Sequence, residues 1–383
     1  MKSPVRRILL LVLGAALLVG APAGAQLPTP LDHAGLFGFP ACVPSPGSAA
    51  SAGVGLADRW LGDEPFDNPA ASPARGVSLS PLLLRVSRQD LRSNYRNYDE
   101  TAAFLDGAGG WISVPLRGVG IVLYGQHPAL RREENAFTRG QLGSPVPPGT
   151  VTTSTTSREA RAGFALSAAR GALRFGAAGE WTRRSDAYDY QETSGDPAAG
   201  NRHADFGGDA AGFAAGVRLA GAGRVALGAA VRYAPALTLT GGWHSELLTG
   251  DSAAAVSVGR GVAWEGGFSA RVAVTPEFHA LAALGGRGSR SWDAFGVRPG
   301  AGAEWRVGGE FHDARDPWTV RFGLGLETQS GVPEPRAGVV ALGFGWKMES
   351  LTLDLAALRR SLQRAGEPTS YDDRVLASAT VAF

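Results

Sequence analysis

The chain has 383 residues, with 37 basic and 35 acidic side chains, 44% hydrophobic residues and 54 glycines. A formal charge of +2 on so even a mixture excludes the basic face that nucleic-acid binding requires. The single cysteine, Cys42, excludes an internal disulfide and any cysteine-based zinc site.

Residues 1–25 read as a signal peptide. Lys2, Arg6 and Arg7 form a positive start, residues 8–19 are apolar, and Ala23-Gly24-Ala25 before Gln26 is a small-residue cleavage site. Cleavage leaves 37 − 3 = 34 basic residues against 35 acidic ones. Lys2 and Lys347 are the only lysines, so nearly all positive charge is arginine. Cys42 stands well beyond the cleavage site in no lipobox-like context, so no lipid anchor is expected.

Residues 26–75 differ in composition from the rest of the mature chain. Pro28, Pro30, Pro40, Pro44, Pro46, Pro65, Pro69 and Pro73 prevent long strands, with one short helical stretch expected over 53–61. A leader without structure and a folded plug are the two readings, and the plug is the expectation taken forward. No later stretch reaches the ~18 consecutive apolar residues of a membrane-spanning helix.

From Val77 to Phe383 apolar residues recur at every second position, which predicts strands with one greasy and one wet face. Strands are expected over 77–88, 108–116, 118–127, 156–169, 171–184, 209–220, 223–247, 262–274, 277–290, 299–311, 316–328, 338–347, 350–361 and 371–383. Pro235 interrupts the over-long segment 223–247, which should bend or project above a membrane. Trp318, Val320, Phe322, Leu324 and Leu326 show the alternation best, interleaved with Arg321, Gly323, Gly325 and Glu327.

The connectors separate a soluble sandwich from a barrel. Long ones at 89–107, 128–155, 185–208, 248–261, 291–298, 329–337 and 362–370 alternate with tight ones at 117, 170, 220–223, 275–276, 312–315 and 348–349. Short turns on one side and long loops on the other are the pattern of a transmembrane antiparallel β-barrel with both termini in the periplasm. About 14 strands are expected over 76–383.

With the apolar rows facing lipid, the alternate positions line a lumen. That row comprises Arg174, Glu180, Arg218, Arg224, Arg232, Glu265, Arg271, Glu304, Arg306, Glu310, Arg321, Glu327 and Asp354. Buried charges of mixed sign must be paired or wet, so the row is read as a salt-bridge network or a polar track. Trp111, Tyr124, Trp181, Tyr233, Trp243, Trp264, Trp305, Trp318, Trp346 and Tyr371 suit aromatic girdles at the two interfaces. Phe383 ends an alternating strand in the manner read by the barrel-assembly machinery.

Two stretches carry a family resemblance. Gly55-Leu56-Ala57-Asp58 through Asp67-Asn68-Pro69-Ala70-Ala71, and Arg321-Phe322-Gly323 through Gly343-Phe344-Gly345 to Leu353-Asp354-Leu355-Ala356, resemble the FadL-like superfamily of outer-membrane barrels. That superfamily includes fatty-acid and hydrocarbon channels and the PorV and PorQ proteins of type IX secretion. The resemblance implies 14 strands, a hatch over 26–75, and lateral release of a hydrophobic ligand through a kink in the third strand. Asn68, Pro69 and Ala70 would then gate the ligand beside the strand near 118–127, with Gly118, Gly120, Gly125 and Pro128 permitting the kink. Segment 128–155 is rich in Thr, Pro and Gly, so a greasy capture site there is not evident.

Two functions stand as expectations. The first is a passive outer-membrane channel for hydrophobic small molecules, with Leu36, Phe37, Phe39, Trp60, Leu61 and Phe66 packing or lining the hatch. The alternative is a PorV-like scaffold that docks secreted proteins. Partners are then membrane lipid, the assembly machinery, and small molecules or cargo. No cofactor is called for. His33, His127, His203, His244, His279 and His312 are scattered, without a metal-binding helix spacing, a nucleophile elbow or a phosphate-cradling loop, so enzymatic activity is not expected.

Overall fold

The computed structural model describes residues 61, 65–71, 76–93, 98–139, 149–193, 200–220, 224–234, 237–247, 250–260, 263–288, 301–312, 317–329, 336–363 and 369–383. The expected signal peptide and most of segment 26–75, with Leu36, Phe37, Phe39 and Trp60, lie outside them. The strands are β1 (Ser78–Ser93), β2 (Tyr98–Leu116), β3 (Val119–Arg139), β4 (Gly149–Arg170), β5 (Leu173–Thr193), β6 (Gly200–Ala220), β7 (Val225–Ala234) and β8 (Leu237–Leu247). They continue as β9 (Gly250–Arg260), β10 (Ala263–Ala273), β11 (Phe278–Arg287), β12 (Gly302–His312), β13 (Trp318–Gln329), β14 (Arg336–Lys347), β15 (Leu351–Gln363) and β16 (Ser370–Ala382).

All pairings are antiparallel, and the sheet closes where β1 meets β16, Ser78 opposite Ala382. Fourteen staves make the ring, because β7 with β8 and β9 with β10 are each one stave broken in two. The lower half of β6 pairs β7, from Phe213 to Ala220, and its upper half pairs β8, from Gly200 to Gly207. β7 ends at Ala234 and β8 begins at Leu237, and Pro235, between them in sequence, has no backbone donor to give a ladder.

Both chain ends of the barrel and the tight turns share one rim. Arg117 (φ 49°) and Gly118 (φ 87°) form a two-residue turn with both dihedrals positive, the twist-matched geometry for a hairpin. Gly171 (φ 62°) leads the equivalent turn between β4 and β5.

The outer face carries the greasy rows. Val320, Phe322 and Leu324 on β13, Val340, Leu342 and Phe344 on β14, and Leu353 and Leu355 on β15 are exposed, Leu342 by 60%. An apolar belt of this extent does not survive in water and requires an apolar solvent. Phe213 stacks on Tyr233 at 5.1 Å, and Tyr233 stands opposite Trp264, marking one edge. Phe311 and Trp318, 5.8 Å apart, and Trp346 opposite Trp318 mark the other. The run from Trp264 to Val274 covers about 33 Å of strand, which at a tilt of about 40° stands roughly 25 Å tall.

The expected long connectors are mostly strand. Residues 98–107, 129–139, 149–155, 185–193, 200–208 and 250–260 all pair. These hairpins rise above the apolar belt. Residues 149–155 are rich in Thr and carry β propensity, and above the belt no lipid face imposes the alternation that marks a membrane strand.

Candidate functional site

The site grows from a notch in the wall. Gly176 on β5 and Gly216 on β6 are register partners. A Cβ at Gly176 would fall 2.2 Å from the Pro69 carbonyl carbon, and one at Gly216 would fall 1.9 Å from Asn68 Oδ1. Only paired glycines leave room for the chain to lie against the inner wall at this point. The segment there is a short 3-10 turn, Pro69–Ala71, with all three residues buried. Asn68 Oδ1 accepts from the Ala70 amide at 2.9 Å, and the Asn68 carbonyl accepts from the Ala71 amide at 2.9 Å. Asn68 Nδ2 donates to the backbone carbonyls of Val217 and Ala229, each at 3.3 Å, and the residue is fully buried. Asn68 thus closes its own turn and ties it to β6 and β7. Pro69–Ala71 packs against β4, β5 and β6, not beside β3 as the resemblance implied.

Phe66 makes the link to β3. Its ring meets Tyr124 edge to face, with centroids 5.3 Å apart at 82°. Trp111, Val122, Ala165, Ala178 and Ala214 complete a buried apolar cluster around that pair. A polar network braces it. Tyr124 Oη donates to Glu180 Oε1 at 2.5 Å, and Arg232 Nε donates to Glu180 Oε2 at 2.7 Å. Arg232 also donates to Glu265 Oε1 at 2.5 Å and to the Phe66 carbonyl.

Composition suited Trp111 and Tyr124 to the girdles, but they point inward at 7% and 5% exposure. Parity gives the reason: Ile112, Val114 and Leu116 form the outward row of β2, so Trp111 falls on the other face. Trp181, Trp264, Trp305 and Trp346 do face outward.

Beside the apolar cluster the wall parts. β2 and β3 pair from Leu116 and Val119 up to Gly109 and Gln126, and no β2–β3 pairing continues above that among the described residues. Higher up, β2 stays with β1 and β3 stays with β4. Three irregularities line up at that height. The β1 register shifts across Ser80–Leu83, around Pro81; Gly109 of β2 takes φ 138°; β3 shifts between Gln126 and Ala129, across Pro128. Proline cannot donate to a ladder and glycine tolerates the strained dihedral, so one row of residues weakens three adjacent strands together. Of the residues expected to permit a kink, Pro128 sits at the break, Gly118 belongs to the tight turn, and Gly120 and Gly125 pair regularly.

The rest of the lumen row is largely paired. Glu180, Arg218, Arg232, Glu304, Arg306 and Glu327 are buried, and Arg174, Glu265, Arg271, Glu310, Arg321 and Asp354 are half-buried, all on the inward parity of their strands. Arg224, beside the turn before β7, is exposed. Arg306 pairs with Glu304 at 3.2 Å and with Glu327; Glu327 also holds Arg360, which reaches Asp372 at 3.7 Å. Arg321 bridges Glu310 at 2.8 Å and Asp354 at 2.9 Å. Arg174 stands opposite Arg218 near the tight-turn rim. Arg360, Asp372 and Arg374 belong to this network beyond the row expected from sequence, which ends on β15 at Asp354; continuing the same parity along β15 and β16 reaches all three. A cavity of about 560 Å³ above the belt is lined by Arg158, Ser185, Asp186, Asp205, Phe206 and Thr240.

No protein-family model and no curated protein matches the sequence. Solved structures do match the fold. A FadL homologue of Pseudomonas aeruginosa is similar with a TM-score of 0.64 at 15% identity, covering 89% of this chain and 98% of that one. The CymD monoaromatic hydrocarbon channel gives 0.58 at 11% identity, with 90% and 99% covered. The toluene transporter TodX of Pseudomonas putida gives 0.57 at 10% identity, with 83% and 92% covered. The fold is that of a FadL-like barrel.

Proposed function

We propose that the protein is an outer-membrane channel that passes small hydrophobic molecules by passive diffusion and releases them sideways between β2 and β3. On this reading the tight-turn rim faces the periplasm and the tall hairpins face the exterior. The observation that carries it is the coincidence of two features. The wall loses its β2–β3 pairing at Gly109 and Gln126, and the lumen beside that point is apolar, lined by Phe66, Trp111 and Tyr124. Gln126 lies about 26 Å of strand from the turn, or roughly 20 Å of height after tilt, within the apolar belt. A hydrophobic solute leaving there enters acyl chains without traversing the lumen below the gap. Two similar structures, a monoaromatic hydrocarbon channel and a toluene transporter, point to the same solute class. Asn68, Pro69 and Ala70 are the residues we assign to the gate, because they anchor the segment that presents Phe66 to Tyr124.

The test is uptake of radiolabelled toluene and of a long-chain fatty acid in proteoliposomes. The protein carries Ala108→Cys and His127→Cys across the gap, with Cys42→Ser. Oxidation should reduce uptake to that of empty vesicles and reductant should restore it. Uptake indifferent to a closed gap removes the lateral route. Absence of uptake in the unmodified protein, together with loss of surface proteins on deletion, would favour the docking role instead.

A further inference from the structure

The histidines look scattered in sequence, but strand register gathers two of them. His279 on β11 stands directly opposite Glu310 on β12, and His312 lies two residues beyond Glu310, on the same face of the strand. All three side chains are half-buried on the inward parity, at the tight-turn rim. Their potential ligand atoms lie within 4.8 Å of one another. His279 Nδ1 is already 3.3 Å from Glu310 Oε1, and the two imidazole rings are 4.8 Å apart, tilted by 40°. His312 Nδ1 is shielded from solvent and has no hydrogen-bond partner, an arrangement that is unfavourable unless something occupies the lone pair or takes the proton.

We propose that His279, Glu310 and His312 form a binding site for a divalent transition-metal ion of the zinc class. Two imidazole nitrogens and one carboxylate oxygen match the borderline-soft preference of that class, whereas calcium and magnesium take oxygen donors. Ligand–ligand separations around a tetrahedral zinc are about 3.3 Å, the distance His279 Nδ1 and Glu310 Oε1 already have, and no pair in the cluster exceeds 4.8 Å. The fourth position opens into the lumen. Arg321 donates to Glu310 Oε2 at 2.8 Å, which orients the carboxylate and leaves Oε1 toward the histidines. Arg321 and Arg271 add positive charge near the site, and Glu310 and Asp354 offset it. Affinity therefore rests on neutral imidazoles and falls below that of a closed four-ligand site. The site is independent of the lateral opening, which lies on other strands at another height.

Tag-free full-length protein in detergent, stripped with a chelator, is titrated with zinc chloride by calorimetry and with cobalt(II) by visible absorption. One equivalent should bind to the wild type, and cobalt should give the intense bands of a tetrahedral or five-coordinate nitrogen-ligated ion. The His279→Asn/His312→Asn variant, its fold checked by heat-modifiable gel mobility, should bind about tenfold or more weakly. A His203→Asn control should bind as the wild type does. Equal binding by wild type and double variant overturns the proposal. So does a wild-type cobalt spectrum that is purely octahedral, a result that needs no variant to fold.

Discussion

The panel β1–β3 and the panel β11–β16 share the same alternation, yet only the first is broken. Register shifts occur where β1 meets β16, where β1 meets β2 and where β3 meets β4, while β11 to β16 pair with one another without interruption. Glycine content does not separate them, since Gly285, Gly286, Gly323, Gly325, Gly343 and Gly345 all sit in regular ladder positions. Proline marks the difference: Pro81 and Pro128 lie at the breaks, Pro115 keeps regular register beside the tight turn, and β11 to β16 contain none. At Pro81 and Pro128 the missing donor coincides with a register shift, whereas a missing side chain leaves the ladder regular. The regular panel is also cross-braced. Arg306, Glu327, Arg360, Asp372 and Arg374 run from β12 to β16, passing β14 at Ala337, the register partner of Glu327.

The panels should therefore fail differently. Glu327→Ala strips the carboxylate shared by Arg306 and Arg360 and leaves buried guanidinium groups under-paired, at a cost of about 3–5 kcal/mol. Urea unfolding in lipid vesicles reads this, and the folded fraction should keep its solute uptake. A loss of uptake at full stability would mean that the regular panel carries the path. Next in size is Gly216→Val, whose Cβ cannot coexist with the Asn68 side chain. Overpacking of this kind costs about 1–3 kcal/mol. Limited proteolysis should then cut near Phe66 in the variant and spare the wild type; equal protection would deny that the notch seats the segment.

Pro128→Ala restores a donor at the break. Its stability effect should stay within about 1 kcal/mol, yet uptake should drop as β3 regains regular pairing with β4. Hydrogen exchange provides the structural control, because protection at residues 126–130 should rise. A variant with raised protection and unchanged uptake would separate the kink from transport.

How far these differences are legible in the sequence depends on what enforces each one. Lipid on one side forces apolar residues to alternate, so the staves at Trp318, Val340 and Leu353 can be read residue by residue. The inward parity of Arg306, Arg321 and Glu327 comes from the same rows. Above the belt nothing forces alternation, and segments such as 149–155 look like loop in sequence although they pair in the structure. The Gly176–Gly216 notch and the gathering of His279, Glu310 and His312 depend on inter-strand register. That register is set by turn lengths and pairings across different strands and leaves no local pattern in either strand. Asn68-Pro69-Ala70 is visible as a motif, but its seat on β5 and β6 is not, because the notch that receives it lies over a hundred residues away.

The smallest expected effect tests how the tall hairpins hold together without lipid. His203 lies between two carboxylates, Nδ1 2.6 Å from Asp189 Oδ1 and Nε2 2.6 Å from Asp205 Oδ2. The hydrogen bond to Asp189, then that to Asp205, raises its pKa above the ordinary histidine value. A folded pKa above the unfolded one means that the stabilisation is fully present below about pH 6.5. It is lost as pH rises through the folded value. The pair is half-exposed, so salt screens it and the gain is slight. Imidazole resonances tracked by NMR should titrate above about 6.5 for His203, and Asp189→Asn should lower that midpoint. Amide protection in β5 and β6 around Asp189 and His203, corrected for intrinsic exchange, should weaken as pH rises above about 6.5 and strengthen in low salt. A midpoint at the unperturbed value with Asp189 intact would show that backbone pairing alone holds this hairpin, and the polar upper wall would then need no side-chain bracing comparable to that of β11–β16.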